Sequence, residues 1–113
     1  MNQQDIVWVS VPFSDFIENK MRPALVISNN EYNRKNQDVI ICAITSKPRE
    51  NYGIQIDSNN LSSGNLPVKS HIRADKIMQV EKTLIAGSFA KLNDKSFDKL
   101  IGEVVKLVER KKK

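Results

Sequence analysis

Residues 22–46 read RPALVISNNEYNRKNQDVIICAITS, and this stretch decides the fold. It holds two short apolar runs, each bounded by polar residues. Both are rich in β-branched side chains, which favours buried strands over a helix. Arg22 directly precedes Pro23, and the residue before a proline is biased toward extended backbone. Arg22 is therefore expected at a strand mouth, while Thr45 and Ser46 leave the second run. If the two runs pair as antiparallel neighbours, the start of one lies beside the end of the other. Arg22 then approaches Thr45 and Ser46, and a cation beside two hydroxyls suits an anion or a phosphate.

Upstream, D-I-V-W-V-S-V-P-F (residues 5–13) reads as a first strand, with Pro12 marking an edge or an end. Ser14–Met21 reads as a polar loop carrying Phe16 and Ile17. Long loops are also where binding residues sit. Asn29–Gln37 is read mainly as loop, with room for one helical turn. Asp38–Thr45, apolar at consecutive positions through Ile44, is the candidate for the centre of a sheet. Lys47–Asn51 is a turn with two cations.

Downstream, Gly53–Asp57 alternates like a half-buried strand, and Ser58–Asn65 reads as a mobile loop. Val68–Ala74 alternates again, placing Lys69, His71, Arg73 and Asp75 together on an ionisable face. Ile77–Val80 reads as another short strand, and residues 83–90 are ambiguous. Phe97, Leu100, Ile101, Val104, Val105 and Val108 recur at helical spacing. Asn93 or Asp94 can cap that helix. Gly102 inside it costs up to about 1 kcal/mol, less than the apolar stripe returns. Many short strands and one terminal amphipathic helix predict a mainly β chain with some α: a small, strongly curved β-barrel.

The totals narrow the chemistry. A length of 113 residues fits one domain over 1–113, with a core that needs no staples. The one cysteine, Cys42, lies in an apolar run, and the lack of cysteine pairs fits a reducing cytoplasm. No run approaches the roughly 20 apolar residues of a membrane span, and the N-terminus lacks the pattern of a secretory signal. Net charge is +5, but four of those charges lie in the Arg110–Lys113 tail, so local clusters must carry any polyanion argument. One His, one Cys and no metal-type carboxylate spacing argue for no metal and no cofactor. Ser70 and His71 point to opposite faces and make a poor nucleophile–base pair.

What remains is Arg22, Thr45, Ser46, Arg73, Asp75 and His71. RNA supplies its own nucleophile in the 2′-hydroxyl. A cleaving enzyme must then accept that proton, donate one to the leaving 5′-oxygen and stabilise charge on the phosphate. Arginine suits the phosphate. The same residues also have a purely structural account: an Arg73–Asp75 rim salt bridge, and hydroxyls that cap turns.

The order D-I-V-W-V-S-V-P-F-S-D, R-P-A-L-V-I-S-N, D-V-I-I-C-A-I-T-S, I-R-A-D-K-I resembles that of the PemK/MazF family, the endoribonuclease toxins of type II toxin–antitoxin systems. The resemblance runs from Asp5 to about Leu92, with the terminal helix in its expected place. It implies an SH3-like β-barrel and a homodimer that cuts single-stranded RNA at short preferred sequences without metal. The products carry a 2′,3′-cyclic phosphate and a 5′-hydroxyl. It also implies a cognate antitoxin whose C-terminal segment covers the RNA site. By motif, Arg22 and Thr45 match the family's catalytic arginine and threonine, with Ser46 beside them. Arg73 and Asp75 match a further acid/base pair, and Asn29 falls where members contact bases. Arginine is a poor proton donor, so Asp75 is the candidate base and His71 its substitute. Lys20, Lys47, Arg49, Lys69 and His71 are expected RNA contacts around these residues. Two departures stand out: Gln4 replaces the usual glycine before Asp5, and Ser14–Met21 lacks the family's glycines. The competing expectations are a family member that binds RNA without cutting it, and a gyrase-poisoning toxin of the same fold. The R-K-K-K end counts against the latter, which needs apolar or aromatic terminal residues.

Overall fold

The computed structural model describes residues 1–12 and 19–111. Seven strands and two α-helices follow one another: β1 (Asp5–Pro12), β2 (Asn19–Val26), α1 (Asn30–Lys35), β3 (Asp38–Thr45), β4 (Gly53–Ile56), β5 (Leu61–Gly64), β6 (Ser70–Glu81), β7 (Ile85–Leu92) and α2 (Asp94–Val108). The strands form one antiparallel sheet, ordered β4-β6-β3-β2-β1-β7-β5, which curls into a half-barrel. The mainly β reading with a terminal helix holds. No helix among the described residues is long and apolar enough to cross a membrane.

The two runs of the opening stretch pair as neighbours: Ala24 with Ala43, Leu25 with Cys42, Val26 with Ile41. Strand side chains alternate between faces, so each run contributes to two cores. One face carries Ile6, Leu25, Cys42, Ile72 and Leu92, and α2 closes it with Phe97 and Leu100. The other carries Val7, Val9, Val26, Val39 and Ile41. Burying an aliphatic side chain of this size stabilises by about 1.5–3 kcal/mol, which is why continuous apolar runs form these strands. The continuous run of β3 marks an interior strand, as expected, but the middle place belongs to β2. Burial pushes the Cys42 thiol up to about 12, with the Asp75 charge adding to it. The thiol therefore stays protonated and inert at neutral pH.

Several boundaries differ from those read in the sequence, each for a local reason. The polar stretch after β2 folds as α1 because its polar groups satisfy one another. Asn29 Oδ1 accepts from the Tyr32 amide at 2.8 Å, and buried Asn33 donates through Nδ2 to the Ser28 carbonyl at 2.9 Å. Ser58–Asn65 contains a capped 3₁₀ turn and β5, not only loop. Asn19–Met21 belong to β2. The rest of the loop expected over Ser14–Met21, including Phe16 and Ile17, lies outside the described residues.

The two strands expected at Val68–Ala74 and Ile77–Val80 are one strand with a bulge. On β3, Cys42 pairs with Ile77 and Ile44 with Ile72, so Arg73, Ala74, Asp75 and Lys76 all stand opposite Ala43. Such a bulge bends the strand and re-aims its side chains. Here β6 turns to β4, pairing Arg73 with Gly53. A Cβ on Gly53 would sit 1.9 Å from the Ile72 carbonyl oxygen, and its φ is +150°, so only glycine permits this approach.

His71 corrects an expectation. It pairs with Thr45 on β3 and Gln55 on β4, and only 3% of it is exposed. It is a core residue, not part of an exposed ionisable face, and its ring is out of reach as a surface RNA contact. Among the described residues neither ring nitrogen makes a hydrogen bond of ordinary geometry. Burial holds its pKa below the ordinary value, opposed by the nearby Tyr52 backbone.

Gln4 stands where the resemblance leads one to expect glycine. Its φ is +78°, a region that costs a non-glycine residue about 1–2 kcal/mol. Its side chain offsets this by donating to the Leu92 carbonyl at 2.8 Å and to Asp94 Oδ1 at 3.0 Å. Its backbone N–H also reaches Val26 at 2.9 Å.

Two outcomes follow. Gln4→Ala keeps the strained φ and loses both side-chain bonds, so urea unfolding is expected to show a loss of about 1–2 kcal/mol, while Gln4→Gly stays near wild type; an unchanged midpoint for Gln4→Ala would refute the tie. A buried His71 with a lowered pKa binds its proton more readily when unfolded. Its contribution is therefore full above the unfolded value of about 6.5 and lost as pH falls through the lower folded value. Melting curves from pH 8 to 5 are expected to show this loss, flattened in His71→Leu.

Candidate nucleic-acid interface

The register that pairs Ala24 with Ala43 sets Arg22 level with Thr45, the last residue of β3. Arg22 is not at the expected strand mouth: β2 begins at Asn19, so Arg22 lies inside the strand, opposite Val9 of β1. Both line one cavity of about 240 Å³, together with Ser46 and Lys47. Arg22, Ser46 and Lys47 are exposed and Thr45 is half-buried. The turn after β3 holds Thr45, because its Oγ1 accepts from the Lys47 amide at 3.1 Å. That fixes the side chain and leaves the hydroxyl proton for donation. This polar wall has a guanidinium, an ammonium and two hydroxyls, and among the described residues no carboxylate lines the cavity.

The rest of the cavity is apolar apart from Ser70, whose hydroxyl donates to the Val68 carbonyl at 3.1 Å. Trp8 of β1 stacks on Phe89 of β7, with ring centroids 4.8 Å apart and an interplanar angle of 22°. Pro23 and Ile44 extend this wall, and Leu66, Pro67 and Val68 close it from the segment before β6. The sequence reading did not single out any of these as site residues. Trp8 and Phe89 lie at opposite ends of the chain, and only the β1–β7 pairing joins them.

Arg73 and Asp75 form a separate cluster at the β6 bulge. Arg73 grips the Asp75 carboxylate through Nε at 3.0 Å and Nη2 at 3.1 Å, and Arg49 reaches the same group at 3.2 Å. The Arg73 hydrogen bonds, then the charges of both arginines, hold the Asp75 pKa below the usual aspartate range. The same bonds raise the pKa of Arg73 further, so it is a worse acid than a free arginine. The rim salt bridge and the hydroxyl-capped turn of the structural account are thus both present. Two cations on one carboxylate still leave the cluster net positive.

Of the other expected contacts, Lys47 lies in the cavity and Arg49 in the bulge cluster. Lys20 on β2 and Lys69 before β6 are exposed, outside the cavity lining. Asn29 is exposed but spends its side-chain oxygen on capping α1.

The fold recurs among solved structures. A MazE–MazF structure from Deinococcus radiodurans superposes with a TM-score of 0.77 at 19% identity, covering 96% of this chain and 95% of that one. The Mycobacterium tuberculosis toxin MazF-mt6 gives 0.74 at 16% identity, covering 90% and 93%. An endoribonuclease in complex with its cognate antitoxin from Mycobacterial species gives 0.73 at 16%, covering 98% and 99%. No curated protein matches the chain in sequence. The model of the PemK-like, MazF-like toxins of type II toxin–antitoxin systems matches residues 2–108. The shared barrel and the match along nearly the whole chain lead to one conclusion: the chain belongs to this toxin family.

Proposed function

We propose that this family member is an endoribonuclease that cuts single-stranded RNA without a metal ion. The observation that carries the proposal is the meeting of Arg22, Thr45 and Ser46 on one wall of one cavity. In the reaction the 2′-oxygen attacks the adjacent phosphorus and gives up its proton. The bond from phosphorus to the 5′-oxygen breaks, and that oxygen takes a proton. The products are a 2′,3′-cyclic phosphate and a 5′-hydroxyl. Arg22 clamps the phosphate oxygens, and Thr45 and Ser46 donate hydrogen bonds to them as charge develops. The fixed cations supply the charge that a metal would otherwise bring.

Arg73 and Arg49 serve as further phosphate cations, with Asp75 holding them in place. A phosphate competing for these guanidiniums loosens their grip on Asp75. Its carboxylate then regains basicity and accepts the 2′-proton. His71 is too buried to do this directly. A homodimer and an antitoxin partner belong to the same proposal. One relative of this fold is described as an endoribonuclease bound to its cognate antitoxin.

The test is cleavage of a long single-stranded RNA in EDTA, with end-group analysis. Arg22→Ala is expected to lose at least about 100-fold in rate with an unchanged melting temperature, since Arg22 is exposed. Thr45→Val keeps the shape, removes the hydroxyl and is expected to lose a similar factor. Full cleavage by a well-folded Arg22→Ala would overturn the assignment. RNA binding with no cleavage in the wild type would make this an inactive member.

The pH profile separates the candidate bases. Because Asp75 is held ionised in the free protein, the acid limb of kcat/KM is expected below about pH 4, and Asp75→Asn abolishes turnover. A limb above that of Asp75 but below the ordinary histidine value, vanishing in His71→Leu, would assign the base to His71 instead.

A further inference from the structure

The proposed phosphate chemistry leaves His71 unused. We propose that the turn of residues 46–53 is a clasp closed over neutral His71, and that a proton on the imidazole opens it while the rest of the sheet stays folded. The clasp rests on the fold alone; only its consequence for RNA rests on the ribonuclease reading.

The ring lies against the backbone of the turn. A Cβ on Gly53 would stand 2.7 Å from His71 Nε2, so the end of the turn rests directly on the imidazole. Thr45 on β3 and Gln55 on β4 flank His71 across the sheet, and neither can ionise. The charged groups near the ring are Arg49 from the turn and Arg73 and Asp75 from β6. Two of the three are cations, and both already hold the one carboxylate. The Tyr52 carbonyl accepts from the Ala74 amide at 2.8 Å. An imidazolium under the closed turn is therefore a buried cation without a counter-ion of its own, which is costly. Hydration relieves that cost, and the closed turn keeps water out.

The turn is also lightly held. Residues 46–52 bury no apolar side chain, and all are exposed save the half-buried Arg49. Tyr52 has a φ of +65°, a left-handed conformation unfavourable to a residue with a Cβ, and its ring is half-exposed. Opening breaks the Arg49–Asp75 pair and the bond from Ala74 to Tyr52. It stops at Ile54 and Ile56, which are buried with Phe97 and Leu100 of α2 and hold β4 to the core. The same turn carries Ser46, Lys47 and Arg49, and it fixes Thr45 through the Lys47 amide. Opening thus takes three groups from the site and releases Thr45 without unfolding the half-barrel. In the open turn His71 regains its ordinary value near 6.5. Below that pH the proton favours the open form by about tenfold per pH unit, until the lower value of the closed form is passed.

The test is amide hydrogen exchange of the full chain, read residue by residue across mildly acid pH and in low urea. Ala74 reports on the clasp, since its N–H bonds to Tyr52, and Ile27 reports on the sheet, since its N–H bonds to Ile40 at 2.9 Å. After correction for intrinsic exchange, opening at Ala74 is expected to rise about tenfold per pH unit below about 6.5. It is expected to be nearly insensitive to urea, because little surface is exposed. Ile27 is expected to exchange more slowly and to respond steeply to urea. His71→Phe keeps a ring under the turn and cannot take the proton, so its Ala74 opening is expected to be flat with pH. Acid pH then lowers kcat/KM by a second route besides protonation of Asp75, and only this route changes exchange at Ala74.

Opening at Ala74 that ignores pH, or that follows urea as Ile27 does, would overturn the clasp; the second result would make His71 a determinant of global stability only. A pH-dependent opening that persists in His71→Phe would overturn it too. If His71→Phe does not fold, the wild-type responses to pH and urea decide alone. Acid loss of cleavage with exchange at Ala74 unchanged would overturn the clasp and leave the ribonuclease reading standing. Exchange as expected in a protein that cleaves no RNA would sustain the clasp and sink that reading.

Discussion

The pairing of Leu25 with Cys42 is the constraint on which the rest of the molecule depends. Strand side chains alternate, so a slip of one residue would send the aliphatic rows of β2 and β3 to the wrong faces. With both faces buried, that slip would cost several side chains of burial at once, and the register is held tightly. Arg22 lies within β2 and Thr45 ends β3, and both inherit that precision. The cavity wall is thus a by-product of packing that occurs two residues further inside the sheet.

The second constraint is the bulge in β6. Four residues opposite one on β3 cannot keep a regular ladder, so the strand bends, and its part before the bulge pairs with β4 as well as with β3. Arg73 and Asp75 lie in that bend, where backbone groups leave the ladder and side chains reach outward. The ion cluster with Arg49 forms there, at the rim. His71, on the regular part of the strand just before the bend, goes into the core. Two residues of separation on one strand therefore place one ionisable group at the surface and another inside.

Gln4 shows how a non-glycine residue is accommodated in a left-handed turn. The left-handed turn before β1 is a backbone requirement, since β1 must leave it bonded to both β2 and β7. Glycine meets it by lacking a Cβ. Gln4 meets it by tying its side chain to the end of β7 and the start of α2. The fold keeps its conformation and changes the means of holding it.

Much of this was legible in the residues. Continuous apolar runs located β2 and β3, helical spacing located α2 with Asn93 as its cap, and antiparallel pairing of adjacent runs placed Arg22 near Thr45. These are local signals, or contacts between neighbours in sequence, and periodicity carries them. The burial of His71 was not legible, because alternation assigns a face but does not say which face the sheet's curvature will enclose. The bulge was hidden for a related reason, since an extra residue in a strand only exists relative to its partner. The Trp8–Phe89 wall depended entirely on closure of the half-barrel, which joins the first strand to the last. Local patterning thus determined the elements and one wall of the cavity, while long-range pairing and sheet curvature decided which side chains met across it.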